Sequence, residues 1–236
     1  MPTQFDSDFG KLKEKLLQMG ALAERMIRDI SSALIDRKMD LLARVYENEE
    51  EMDCLQNDLD EETVRMIGVY TPVAGDLRLL LMVTRINAEI ERVGDKVVDI
   101  GHILEDFLQE KPVKSMADFT HAADLAENML RNALNAFVNN SVEEAMSVIA
   151  ADDKVDRLTD QTTRALFTYM LDDAHVIGSV FALLLVAQAL ERIADHAVNI
   201  CEDVVYIVQG KDIRHLRGRE LNDSDKQSDT ASAENP

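Results

Sequence analysis

Residues 91–100 read Glu-Arg-Val-Gly-Asp-Lys-Val-Val-Asp-Ile, and residues 191–200 read Glu-Arg-Ile-Ala-Asp-His-Ala-Val-Asn-Ile. Five of the ten positions are identical at an offset of 100. Each copy carries Glu-x-x-x-Asp (Glu91/Asp95 and Glu191/Asp195), which puts two carboxylates one helical turn apart on one face. A second set stands upstream in each half: Glu49/Asp53 and Asp152/Asp156, related by an offset of 103. Asp99 extends the Glu91/Asp95 ridge by one more turn. Carboxylates gathered this way do not all stay ionised without a counter-charge. Arg92 and Arg192 supply part of it, and a divalent or trivalent cation would supply more. Hard oxygen ligands suit Mg, Mn, Ca or iron.

One such pair alone carries no signal: with 45 acidic residues in 236, chance gives about eight acid-x-x-x-acid pairs, and a solvated helix face is the default. The fourfold recurrence at matching places, beside apolar seams, raises it. Two readings stand, metal coordination and an electrostatic or partner-binding acid patch. Other chemistry is thin. Asp99-x-x-His102 has the spacing of di-iron helices, but its second-half equivalents are Asn199 and Glu202. Asp172-x-x-His175 lies at a helix start. A ferritin-like centre needs two such motifs and two more glutamates. His196 reads as a helix-surface or supporting residue. With no Gly-rich phosphate loop, no serine elbow and no evident Cys/His pair, the chain is expected not to be an enzyme.

The elements that hold these residues are helices. The apolar period is close to 3.6 almost throughout, and four prolines and nine glycines interrupt it rarely. Six helices are expected: about 5–36, 40–67, 76–109, 115–139, 141–171 and 172–209. Phe5, Phe9, Leu12, Leu16, Met19, Ala23, Met26, Ile30 and Ala33 form the seam of the first. Gly68, Pro72 and Gly75 mark a loop, and Lys111-Pro112 a break. Ser141, with Glu144 three residues on, reads as a capping box, Asp172-Asp173 as the cap of the sixth helix, and Gly210 as its end. Gly94 and Gly101 allow close helix approach. The fold class is all-α, a tandem repeat of two three-helix bundles: residues 1–110, residues 111–210, and a polar tail over 211–236 expected to be disordered.

A net charge of −20 argues against nucleic acid as a partner and suits cations or a basic protein. Cys54 and Cys201 lack metal spacing and fit burial in a reducing compartment. No basic n-region with an apolar run opens the chain. The longest uncharged stretch, between His175 and Glu191, reads as a buried helix rather than a bilayer span. The expected location is cytoplasmic.

Two three-helix units, each ending in a helix with Ile90-Glu91-Arg92-Val93-Gly94-Asp95 or Leu190-Glu191-Arg192-Ile193-Ala194-Asp195-His196, resemble the PhoU family of phosphate-transport accessory regulators. Val155-Asp156-Arg157-Leu158, Pro72 and Asp76-Leu77-Arg78 support the likeness, which spans about residues 5–210. The resemblance implies a negative regulator of the phosphate-starvation response and a modulator of phosphate uptake. It implies an adaptor between the ATPase subunit of a phosphate ABC transporter and a phosphate-sensing histidine kinase, meeting the membrane only through those partners. It also implies iron or zinc clusters on the bundle surface, at Glu49, Asp53, Glu91, Asp95, Asp152, Asp156, Glu191 and Asp195, with Asp99 as a further candidate; Mg or Mn is compatible with the donors. A homodimer is expected. Asn199 stands where the first half has Asp99, so the second site is expected to bind metal more weakly. The alternative is a metal-binding or iron-storing helical protein without a regulatory role.

Overall fold

The computed structural model describes residues 3–110, 117–172 and 174–214. Six long helices make up the fold: α1 (Gln4–Asp36), α2 (Asp40–Tyr70), α3 (Ala74–Phe107), α4 (Ala117–Asn139), α5 (Val142–Asp172) and α6 (Ile177–Gln209), with a 3-10 turn over Ala174–Val176 before the last. Among the described residues there is no strand. The Lys111-Pro112 break and the tail beyond 214 lie outside the described residues.

Local chemistry sets the helix ends. Thr3 and Asp6 form a reciprocal capping box at the start of α1: Asp6 N–H donates to Thr3 Oγ1 at 3.2 Å, and Thr3 N–H donates to the Asp6 carboxylate at 2.7 Å. Arg37 closes α1 in the left-handed region, at φ 56°, and its guanidinium donates to Leu108 O and Glu110 O, each at 2.6 Å. A cation thus sits on the carbonyl end of α3, where the helix dipole favours it. Ser141 Oγ accepts from Glu144 N–H at 3.2 Å as its position predicts, but the Glu144 carboxylate takes Asn139 Nδ2 instead of closing the box. The expected cap at Asp172-Asp173 is not found: Asp172 is the last residue of α5, Asp173 lies outside the described residues, and α6 starts after Val176 without a side-chain cap. Gly210 ends α6 at φ 68°, a conformation that costs a residue without Cβ nothing. The loop between α2 and α3 is shorter than the glycines suggest, because Gly68 and Gly75 are both helical.

Helices α1, α2 and α3 pack on one another, as do α4, α5 and α6. The two units join through α1 against α4 and α3 against α6, and α2 and α5 lie on opposite flanks. One continuous apolar core runs through both units, from Leu12 and Leu16 to Val204 and Val205. Helix α6 is long and apolar enough by length and composition to cross a membrane; here it packs against α3, α4 and α5, with Val180, Leu183, Val186, Leu190, Ile193 and Ala197 in the core.

The junction is nearly two-fold. Glu24 and Arg28 of α1 correspond to Glu127 and Arg131 of α4 at an offset of 103. Arg28 donates to Glu127 at 2.5 Å while Arg131 donates to Glu24 at 2.9 Å. Each arginine reaches the other unit's glutamate. Gly20 lets α1 approach α4, since a Cβ there would lie 2.2 Å from Leu134 Cδ1. Gly94 and Gly101 serve close approach as expected, with Met52 against the first and Tyr46 against the second.

Candidate functional site

The acid pairs sit where an outer helix meets its unit's interface helix. Met52 of α2 packs on Gly94 of α3, so the ridge carrying Glu49 and Asp53 lies beside the ridge carrying Glu91 and Asp95. That proximity raises the carboxyls of the two glutamates. Burial and the charges of Asp53 and Asp95 push Glu49 above the ordinary carboxyl range. Burial, Asp95, Asp53 and Glu49 do the same to Glu91, against a small opposing effect of Arg92. Glu49 and Glu91 are half-buried, whereas Asp53 and Asp95 are exposed. The four expected carboxylates of the first half therefore form one outward-facing cluster.

The second half repeats this with changes. Burial and the charges of Asp156, Asp195 and Asp160 raise Glu191. Asp152 is buried, at 7 % exposure, on the inner row it shares with Ala145 and Ile149. Asp160 adds its charge to this cluster. Its counterpart in the first half is Asn57, so matching the two halves passes over it; the i, i+4 step from Asp156 was the available signal.

Asp99 does not join the first cluster. Eight residues carry a helix about 80° past two full turns, and Asp99 instead bonds Lys96 at 2.6 Å on the side of α3 that faces α6. Asn199 is likewise turned to the α3–α6 junction, where it donates to Glu89 at 2.8 Å. The difference between Asp99 and Asn199 thus falls at the α3–α6 junction. Arg92 pairs with Glu89 at 2.5 Å, and Arg192 with Asp195 at 3.1 Å. His196, half-buried, lies 2.8 Å from Glu89 in the junction. Cys201 is buried as expected, but Cys54 is exposed.

The donor set of each cluster is carboxylate oxygen, which suits a hard cation, and mutual repulsion within each cluster is what a cation relieves. Among the described residues, no three His, Cys, Asp or Glu side chains converge closely enough to hold a metal ion as they stand. The fit therefore rests on donor chemistry and charge.

A PhoU domain family model matches this chain twice, over residues 16–104 and 119–204. The chain belongs to the PhoU family. The two matches fall on the two three-helix units, with one acid cluster in each. The chain is 34% identical over 231 residues to the phosphate-specific transport system accessory protein PhoU of Escherichia coli, covering 94% of this chain and 95% of that protein. It is 34% identical over 214 residues to a PhoU homolog of Pseudomonas putida, covering 90% of this chain and 84% of the relative. The crystal structure of PhoU from Pseudomonas aeruginosa superposes with a TM-score of 0.84 at 32% identity, over 88% of this chain and all of that one. PhoU from Streptococcus pneumoniae shares the fold, with a TM-score of 0.82 at 23% identity. The all-α double bundle is thus the PhoU fold, in a family whose members include accessory proteins of phosphate-specific transport.

Proposed function

We propose that this chain is a non-enzymatic regulator of phosphate homeostasis that restrains the phosphate-starvation response and phosphate uptake when phosphate is plentiful. It acts in the cytoplasm as an adaptor between the ATPase subunit of a phosphate ABC transporter and a sensor histidine kinase. The observation that carries the reading is the full-length likeness to phosphate-transport accessory proteins across both repeats. The outward acid clusters support it: they present charge to a basic partner surface or hold a cation there, on a body whose two halves share one core. Glu49, Asp53, Glu91 and Asp95, and Asp156, Asp160, Glu191 and Asp195, are the proposed ligands of cations of the iron, zinc, magnesium or manganese type. A homodimer is part of the same reading.

The test is a phosphate-starvation reporter in cells lacking this gene, grown in high phosphate. A reporter that turns on, and is silenced when the gene is returned, supports the proposal. A reporter that stays off overturns it and leaves the metal-binding or iron-storing alternative.

A further inference from the structure

The α3–α6 junction brings together two copies of one segment, so each contact on one side has a counterpart on the other at an offset of 100. On one side the contact is a polar ladder. Glu89 meets His196 Nδ1 and accepts from Asn199 Nδ2, both at 2.8 Å, and Arg92 donates to its other oxygen at 2.5 Å. One turn away Arg85 pairs with Asp203 at 3.4 Å. The offset converts Glu89 to Ala189, Arg92 to Arg192, His196 to Lys96, Asn199 to Asp99, Arg85 to Leu185 and Asp203 to Ile103. All six counterparts line one open groove of about 390 Å³ on the other side of the junction, with Gln188 beside them.

The groove is the ladder without its carboxylate. Both basic positions are kept: Arg192 stands at the place of Arg92, and Lys96 at that of His196. The acceptor between them is cut back to the Ala189 methyl, which is buried in the floor. We propose that this groove binds a small oxyanion, a carboxylate or phosphate group, between Lys96 and Arg192, with the rest of the ligand against Ile103, Leu185 and Ala189. Lys96 and Arg192 now bond acids of their own helices, Asp99 at 2.6 Å and Asp195 at 3.1 Å. An ammonium has three donors and a guanidinium five, so each has donors left for a ligand. Asp99 is the opposing feature. Its counterpart Asn199 donates to the carboxylate in the filled ladder, whereas an ionised Asp99 only accepts and repels.

The experiment uses the purified full chain with 13C-labelled alanine, isoleucine and leucine methyls, and stands whether or not the regulatory reading does. Inorganic phosphate and succinate are titrated separately, against chloride at matched ionic strength. The expected result is a saturable shift of the Ala189, Leu185 and Ile103 methyls with phosphate, with succinate or with both, and none with chloride. Whichever probe binds names the class. Lys96→Gln with Arg192→Gln weakens binding about tenfold or more, Asp99→Asn tightens it, and Ala189→Glu, which supplies the missing carboxylate, abolishes it. Shifts that never saturate or that match chloride overturn the proposal, as does unchanged affinity in the double glutamine variant. Retained binding in a folded Ala189→Glu protein also overturns it; should that variant not fold, the double glutamine variant decides.

Discussion

Glu89 of α3 lies 2.8 Å from His196 of α6, and this contact between the two repeats has no equivalent on the other side of their junction, where Ala189 faces Lys96. The chain has thus kept its two-fold packing while giving up two-fold chemistry. Burial pushes the Glu89 carboxyl up, but bonds from His196 and Asn199 and the charges of His196 and Arg92 outweigh it and hold the group below its ordinary range. Glu89→Ala strands the half-buried His196 and Asn199 at the join. Its expected cost is about 2–3 kcal/mol, read as a lower urea midpoint at pH 7. The sign with pH follows from the lowered value: the contribution is full above the unfolded pKa and disappears as pH falls through the folded one. The gap between wild type and Glu89→Ala should therefore narrow below about pH 4. A gap that stays constant down to pH 3 would show that lost packing, not charge, sets the cost.

Asp203 and the cluster glutamates shift the other way. Burial raises Asp203 to about 6, against the opposing charges of Arg85 and Arg214, and Glu49, Glu91 and Glu191 are raised as well. A carboxyl raised on folding binds its proton more tightly in the native state, so these groups lower stability as pH climbs from their unfolded values through their folded ones. Thermal melts should show a higher Tm near pH 5.5 than at pH 7.5. Glu49→Gln or Glu91→Gln, in partly exposed sites, should raise Tm at pH 7.5 by no more than about 2 °C, and that gain should vanish near pH 4. A lower Tm at pH 5.5 would contradict the shared direction of these shifts.

Periodicity made the architecture legible because long helices with regular seams leave few alternatives. Of the three caps the sequence offers, Ser141 and Gly210 each depend on one residue and were readable for that reason. Asp172-Asp173 was not: an acid pair before an apolar run suits a cap, yet α5 continued through Asp172 and a 3-10 turn came between. The clusters were half legible. Glu49, Asp53, Glu91 and Asp95 meet because both ridges flank Met52 and Gly94. Asp99 turns toward α6 and Asp152 is buried, since spacing along one helix does not say how far its face has rotated toward a neighbour. The Glu89 ladder was not legible because Glu89 has no repeat partner: the duplication marks what the halves share, and position 189 is alanine.

If the outward clusters hold cations, adding one must stabilise the fold by binding to it. Mn or Zn at about 1 mM should raise Tm in chelator-stripped protein at pH 7.5, by about 2 °C or more if Kd is tenfold lower than that. Excess chelator should reverse the rise. Replacing Glu49, Asp53, Glu91 and Asp95 by their amides should remove the first-half share, leaving that of Asp156, Asp160, Glu191 and Asp195. The amide protein should already melt at or above the metal-free wild type, because its repulsion is gone. Equal metal responses in the two proteins would point to the first cluster as a docking patch rather than a ligand set.

The join between repeats should be most sensitive at Gly20. Here α1 rests on Leu134 of α4, with room for a hydrogen but not a methyl: an added Cβ falls 2.2 Å from Leu134 Cδ1. The listener to that clash is a core leucine at 3% exposure, with little space to turn into. Gly20→Ala should therefore cost about 1–3 kcal/mol despite its gain in helix propensity. Leu134→Ala alone leaves a cavity and should cost about 2–4 kcal/mol. The two changes together should cost less than their sum, because the new methyl enters the space the leucine vacated. Denaturant midpoints of the four proteins give the coupling directly. Additive costs would mean that the helices separate when Gly20 is replaced, and the α1–α4 crossing would then be a soft seam rather than a fixed one.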